Sequence, residues 1–313
     1  MTLDINSIEN IDLAHGFRAD VMIASVTGEP RGWDVYERLS PRCASRWLVA
    51  QSSPNAKDEA LAENIRARDS TAVVISPESI GEHIRTWLAG ERNEPRSVLI
   101  DISCMSRPLM AQVFAALTHS SRKHTLIVTV AYSIAAYTPP PQHLPPNEDI
   151  SPVSEAFAGW PSDPAATTTL IMGVGYEQDK AQGALEYFDP SDCWLFVPKS
   201  PITQYDDAVS QNNAHLIESV RRQHRVFDYS ILDPANTFGM IVSVVSSMVG
   251  RSNPVILPFG PKIFFALSLI VASIYREVGV WHLTGDQMAG VPTCGASSYS
   301  VAFRLDLVPS ETQ

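Results

Sequence analysis

A chain of 313 residues with 45% hydrophobic and 18% charged residues is long enough for two ordinary domains with sizeable cores, which excludes disorder except at the ends. The net charge of −11 argues against a broad nucleic-acid-binding face, which would neutralise phosphates with clustered Lys and Arg, and leaves room only for a small, locally basic pocket. Cys43, Cys104, Cys193 and Cys294 are far apart, with no CxxC and no zinc-like His spacing; they read as thiols in a reducing cytosol, with no metal or cofactor implied.

The first 13 residues are acidic and lack the basic-then-apolar order of a signal peptide. In chain order, strands are expected at 20–26, 46–50, 71–76, 97–101 and 125–132, with helices at 33–39, 57–67, 80–88 and 109–117 between them. The run ending at Asp101 is apolar and β-branched, so it reads as a strand buried on both faces. Pro108 then opens a helix where its missing N–H does no harm.

From residue 139 to 166 the apolar periodicity is lost among Pro, Ser, Asp and Glu, including Pro139-Pro140-Pro141 and Pro145-Pro146, and this reads as a linker. After it the pattern restarts. Strands are expected at 169–174, 193–197, 225–232, 254–257 and 278–283, with helices at 181–188, 207–220, 238–248 and 263–274. The apolar run at 264–274 lies between Pro261-Lys262 and Arg276-Glu277 and is well short of the ~20 residues of a membrane span.

Laid over each other at an offset of about 148 residues, the two parts match strand for strand. Glu29 falls on Glu177, Ser40-Pro41 on Asp189-Pro190, Trp47 on Trp194 and Ser53-Pro54 on Ser200-Pro201. The expectation is an α/β protein of two Rossmann-like, doubly wound, mostly parallel sheets in tandem, arising by internal duplication: half one at 1–138, linker at 139–166, half two at 167–313.

In such sheets the chemistry collects at the carboxyl ends of the first and fourth core strands. In half one these ends present Thr27, Gly28, Glu29 and Arg31, then Asp101, Ser103, Ser106 and Arg107; in half two they present Gly173, Gly175, Tyr176, Glu177 and Lys180, then Gly260 and Lys262. Glycine backbone, hydroxyls and one cation in each of the four loops suit an anion such as phosphate. Each residue also has an ordinary role open to it. Asp101 can cap a turn, Glu29 and Glu177 can brace their own halves, and Arg107 and Lys262 can be solvated charges. The histidines, His119, His124, His215, His224 and His282 among them, have no ligand-like spacing.

The run Leu99-Ile100-Asp101-Ile102-Ser103-Cys104-Met105-Ser106-Arg107 resembles the fourth-strand motif of CARF domains, the CRISPR-associated Rossmann-fold sensors. In that motif a strand ends in Asp, then a β-branched residue or Leu, then Thr or Ser, and Arg follows two or three residues later. Phe259-Gly260-Pro261-Lys262 is similar to the Gly-Thr-Lys loop at the same place in other members, with Pro261 where Thr stands. The resemblance implies a cytoplasmic, prokaryotic protein of antiviral defence that binds a nucleotide or cyclic oligonucleotide, usually across a homodimer dyad. It also implies a separate effector protein as partner, because no effector domain accompanies the two halves.

On this reading two halves packed about a pseudo-dyad, or a homodimer, bind the ligand through Arg31, Arg107, Lys180 and Lys262, with neither duplex nucleic acid nor membrane as partner. Two rivals stay open. One is a nucleotide hydrolase, cleaving a phosphodiester or N-glycosidic bond as a ring nuclease does, with Glu29, Asp101 and Glu177 as candidate acid, base or nucleophile. The other is an interaction subunit of a defence complex.

Overall fold

A computed structural model describes residues 4–50, 56–90, 94–120, 125–140, 149–160, 163–177, 179–284 and 294–309. The chain divides into two compact units, Met1–Ala136 with Thr293–Gln313, and Tyr137–Pro292. Each is an α/β unit built on one mixed, mostly parallel sheet.

The first unit runs β1 (Asp4–Asn10), β2 (Arg18–Ser25), α1 (Asp34–Leu39), β3 (Arg42–Val49), α2 (Ala56–Arg68), β4 (Ala72–Ile75), α3 (Ile80–Ala89), β5 (Arg96–Asp101), α4 (Arg107–Ser120) and β6 (Leu126–Ala135). Its sheet has the order β1-β13-β6-β5-β2-β3-β4, where β13 is the late strand Ala296–Val308. The five strands β2 to β6 are parallel in the spatial order 3-2-1-4-5 of a Rossmann sheet. β13 lies antiparallel between β6 and β1.

Burial follows this order. In the central strands β2 and β5 residues of both parities are buried, whereas edge strand β4 leaves Val73 45% exposed. One face carries α1, whose Val35 and Leu39 pack on Met22, Ala24, Leu99 and Ala131, and α2, whose Ile65 joins Leu48 and Trp33. Each large aliphatic side chain so buried contributes about 1.5–3 kcal/mol. Trp47 points to the other face, against Trp87 and His83 of α3.

The second unit contains β7 (Asp149–Pro152), β8 (Thr168–Gly173), α5 (Lys180–Phe188), β9 (Asp192–Lys199), α6 (Thr203–Asn212), α7 (Ala214–Arg221), β10 (Val226–Ser230), α8 (Pro234–Met248), β11 (Asn253–Pro258), α9 (Lys262–Ile274) and β12 (Gly279–Thr284). Its sheet order, β10-β9-β8-β11-β12-β7, repeats the parallel 3-2-1-4-5 pattern, and an antiparallel strand again follows the fifth parallel one. The register repeats as well. Ile23 pairs with Trp47 and Ile100 in the first sheet, and Ile171 pairs with Trp194 and Ile256 in the second. Helices α5, α6 and α7 bury Ala181, Ala184, Val209, Leu216 and Val220 on one face with Leu170, Met172 and Leu195. Burial in the same core pushes the Cys193 thiol up to about 12.

The fold class follows the sequence; the boundaries do not. Residues 139–166 are not only a linker, because β7 lies within them and pairs with β12. The second unit does not extend to residue 313, because β13 pairs with β6 and β1 of the first sheet. The helix expected at 207–220 breaks at Asn213, whose buried side chain bonds to Gly175 O and Val209 O instead of continuing one helix. Ser53-Pro54, His124, Pro145-Pro146 and Gln178 lie outside the described residues. Among the described residues no helix is long and apolar enough to cross a membrane.

Candidate functional site

The reversal of strand order, where a Rossmann sheet opens a crevice, falls between β2 and β5 in the first unit and between β8 and β11 in the second. The sequence-derived residues therefore do cluster, within each unit, at the carboxyl ends of two neighbouring strands. In the first unit the two loops touch at Gly32. A Cβ there would stand 2.9 Å from Thr27 Cγ2 and 3.5 Å from Cys104 Sγ.

Much of the first unit's hydrogen-bonding capacity in these loops is spent internally. Thr27 Oγ1 accepts from Glu29 N at 3.3 Å, and Gly28 N donates to the buried Asp58 at 2.6 Å. Asp101 Oδ1 accepts from Ser103 N at 2.9 Å, an Asx turn that shapes the strand exit. Ser103 is fully buried and its Oγ accepts from Ser133 N at 2.8 Å. Ser106 is exposed and caps α4, its Oγ accepting from Leu109 N at 3.3 Å. Thr27, Gly28, Asp101 and Ser103 thus hold the loops in shape.

The cations are arranged differently. Arg31 is buried, with 10% of its side-chain surface exposed, and pairs with Glu29 at 3.0 Å. Its guanidinium also makes side-chain hydrogen bonds to Tyr132 and Cys104. Burial works against the Arg31 charge, but Tyr132, Cys104 and Glu29 outweigh it and hold the group above its ordinary value. Arg107, the first residue of α4, also acts on Tyr132. Burial nonetheless raises the Tyr132 phenol, so it stays a neutral hydroxyl although both guanidinium groups act to lower it. Among the described residues Arg31 Nε has no hydrogen-bond partner.

In the second unit the loops are packed closer. Phe259 N and Gly260 N both donate to Gly173 O, at 2.8 and 3.0 Å. A Cβ on Gly173 would enter the Phe264 ring, and one on Gly260 would stand 2.6 Å from Val174 O. The Glu177 carboxylate lies against Gly175, whose carbonyl is held by Asn213 at 2.8 Å; Asn212 holds Tyr176 O at 2.6 Å. Gly173 and Gly260 thus admit neighbouring chain, and the Gly260 N–H is already bound. Lys180 and Lys262 are half-buried first residues of α5 and α9, and Tyr176, Tyr205 and Tyr137 form a contiguous ring cluster beside the loop.

The fourth-strand positions differ between the units. Asp101 pairs with Ala24, whereas the matching partner of Met172 is Leu257, so the second unit has no carboxylate there. Tyr132 and Cys104 carry as much of the first site as the residues named from sequence. Extending the same search to the end of the fifth strand would have found Tyr132. No group of three or more His, Cys, Asp or Glu side chains forms a metal-ligand set among the described residues.

No family model and no curated protein matches the chain. Among solved structures it is similar to the cytoplasmic domain of a prokaryotic cation chloride cotransporter, at 10% identity over 85% of this chain and 95% of that one, with a TM-score of 0.26. A likeness at that score carries no argument about activity.

Proposed function

We propose that this chain is a nucleotide sensor of a prokaryotic antiviral system, acting in the cytoplasm. The first unit takes a phosphate of a nucleotide or cyclic oligonucleotide beside Arg31, Arg107 and Tyr132. The observation that carries this reading is the placement of Arg31 and Arg107 in the two loops that leave β2 and β5, the strands flanking the order reversal of the first sheet, with both charges acting on the Tyr132 phenol of the neighbouring strand β6. Planar guanidinium forks match phosphate oxygens, a phenol hydroxyl donates to the same group, and the start of α4 adds its dipole. In a chain of net charge −11 this is a local exception that favours a small anionic ligand over a polyanion.

Sensing is favoured over hydrolysis because the first unit's candidate carboxylates have structural work: Asp101 shapes the loop and Glu29 pairs with Arg31. Binding stabilises the liganded conformation, and a separate effector protein reads that population shift.

Calorimetric titration with a panel of linear and cyclic oligonucleotides, mononucleotides and dinucleotide cofactors tests the proposal. At least one member should bind saturably and unchanged in mass. R107A should weaken it about tenfold or more, and an unchanged far-ultraviolet spectrum of the free variant separates that loss from unfolding. No binding across the panel, or equal binding by R107A, overturns the reading.

A further inference from the structure

A second concave site lies in the first unit, away from the loops described above. Trp47 of β3 and the side chains of Glu82, His83, Thr86 and Trp87 on α3 line a cleft of about 350 Å³. That size falls within the range of small-molecule sites. The two indoles stand nearly perpendicular, 87° apart with centroids at 5.8 Å, and the His83 ring closes a third side at 6.3 Å from Trp47. The walls are aromatic and meet at a corner.

The polar groups on this corner mostly accept hydrogen bonds. His83 Nδ1 lies 3.0 Å from Ser79 O, a carbonyl that can only accept, so Nδ1 carries the proton and Nε2 presents a lone pair in the neutral ring. Glu82 is exposed on α3 and has no ion-pair partner among the described residues. Thr86 adds a hydroxyl that serves either way. Trp87 already takes a cation: the Arg96 guanidinium carbon sits 5.4 Å from its ring centroid, and Arg96 is not among the residues lining the cleft. Indole faces attract cations through the ring quadrupole, and a nearby carboxylate adds a Coulombic term.

We propose that the Trp47–Trp87 cleft is a binding site for a small organic ammonium ion, with methylated or alkylated nitrogen against the indoles and Glu82 as counter-charge. A neutral apolar group of the same shape would gain the contact area but neither the ring electrostatics nor the carboxylate. A metal cation would find one carboxylate and too few oxygens. The net charge of −11 gives a background field of the same sign as Glu82.

The test is calorimetric titration of the full chain with choline and, in parallel, with its uncharged carbon isostere 3,3-dimethylbutan-1-ol. Choline should saturate one site, and the isostere should bind about tenfold more weakly or not at all. W87A should abolish saturation and E82Q should weaken choline about threefold to fivefold. Glu82 is exposed and Trp87 is half-buried against Trp47 and Arg96, so an unchanged far-ultraviolet spectrum is required of each variant to show that it is folded. Equal binding of choline and the isostere identifies an apolar slot and overturns the proposal. So does the absence of saturation up to about 10 mM choline, or choline binding that neither variant alters.

Discussion

Ser40 and Asp189 occupy the same backbone state. Ser40 has φ 38° and ψ 57°, Asp189 has φ 40° and ψ 56°, and each closes the helix after the first parallel strand of its unit. Each is followed by proline, which cannot continue a helix and fixes the chain's exit toward the second parallel strand. The two units thus share a left-handed helix stop as well as a strand order and a register, and separate origins would have to reach all three independently.

Left-handed backbone crowds a Cβ against the following carbonyl, and glycine lacks that cost. S40G should therefore raise stability by about 1 kcal/mol, read as a higher denaturant midpoint with unchanged slope. D189G should gain less, because Asp tolerates this region better than Ser. A loss of stability in both would mean that the side chains make contributions beyond the cap.

Ser133 links three segments of the first unit. Its hydroxyl donates to Asp34 Oδ2 at 2.6 Å while its N–H donates to Ser103 Oγ, tying α1 to β6 and β6 to the loop after β5. S133A keeps the backbone bond and removes only the hydroxyl, leaving the Asp34 carboxylate paired with Arg38. The expected cost is about 1–3 kcal/mol, measured by thermal or chemical unfolding. S103A should cost a similar amount, because it orphans the buried Ser133 N–H.

The parallel strands, their helices and the duplication are legible because each is written locally, as apolar runs cut by Gly, Pro and Asp. The placement of β13 is not. Val301, Phe303, Leu305 and Leu307 alternate with Arg304 and Asp306 as a half-exposed strand should, yet nothing in that pattern says it pairs with β6, more than 160 residues earlier. The site shows the same limit. Arg31 and Arg107 were legible from their places after strand ends, whereas Ser103 reads as a ligand hydroxyl until its bond to Ser133 is seen. Tyr132 closes the apolar run read as the fifth strand, an end from which no ligand group is expected, and only its neighbours give it a role.

Asp69 braces the far end of the first sheet, paired with Arg46 at 2.7 Å and bonded by Thr71 N at 2.9 Å and by Thr71 Oγ1 at 2.6 Å. Burial alone would raise its pKa, but the Thr71 bonds and the Arg46 charge outweigh it and hold the carboxylate below its ordinary value. A depressed folded-state pKa gives stability that is fully present above the unfolded value, about 3.9, and lost as pH falls through the folded one. D69N should be less stable than the parent at pH 7, because it leaves Arg46 without its counter-charge. It should also lose less on acidification below about pH 4, so the two curves of denaturation midpoint against pH converge. Parallel curves would show that Asp69 does not couple folding to protons.

Gly260 and Gly239 predict opposite outcomes for the same substitution. A Cβ on Gly260 would stand 2.6 Å from the backbone oxygen of Val174, and Gly260 N is bound to Gly173 O at 3.0 Å, so neither loop can yield. G260A should destabilise the chain by about 1–3 kcal/mol, the cost of overpacking against backbone. Gly239 lies inside α8, where a Cβ would meet nothing within 4 Å. There alanine restricts the unfolded chain and improves helix propensity, so G239A should stabilise by about 0.5–1 kcal/mol. Equilibrium unfolding of the two variants beside the parent checks both signs at once. If G260A unfolds with the parent, the contact between the loops after β8 and β11 is loose, and the close packing assigned to the second unit's strand exits is wrong.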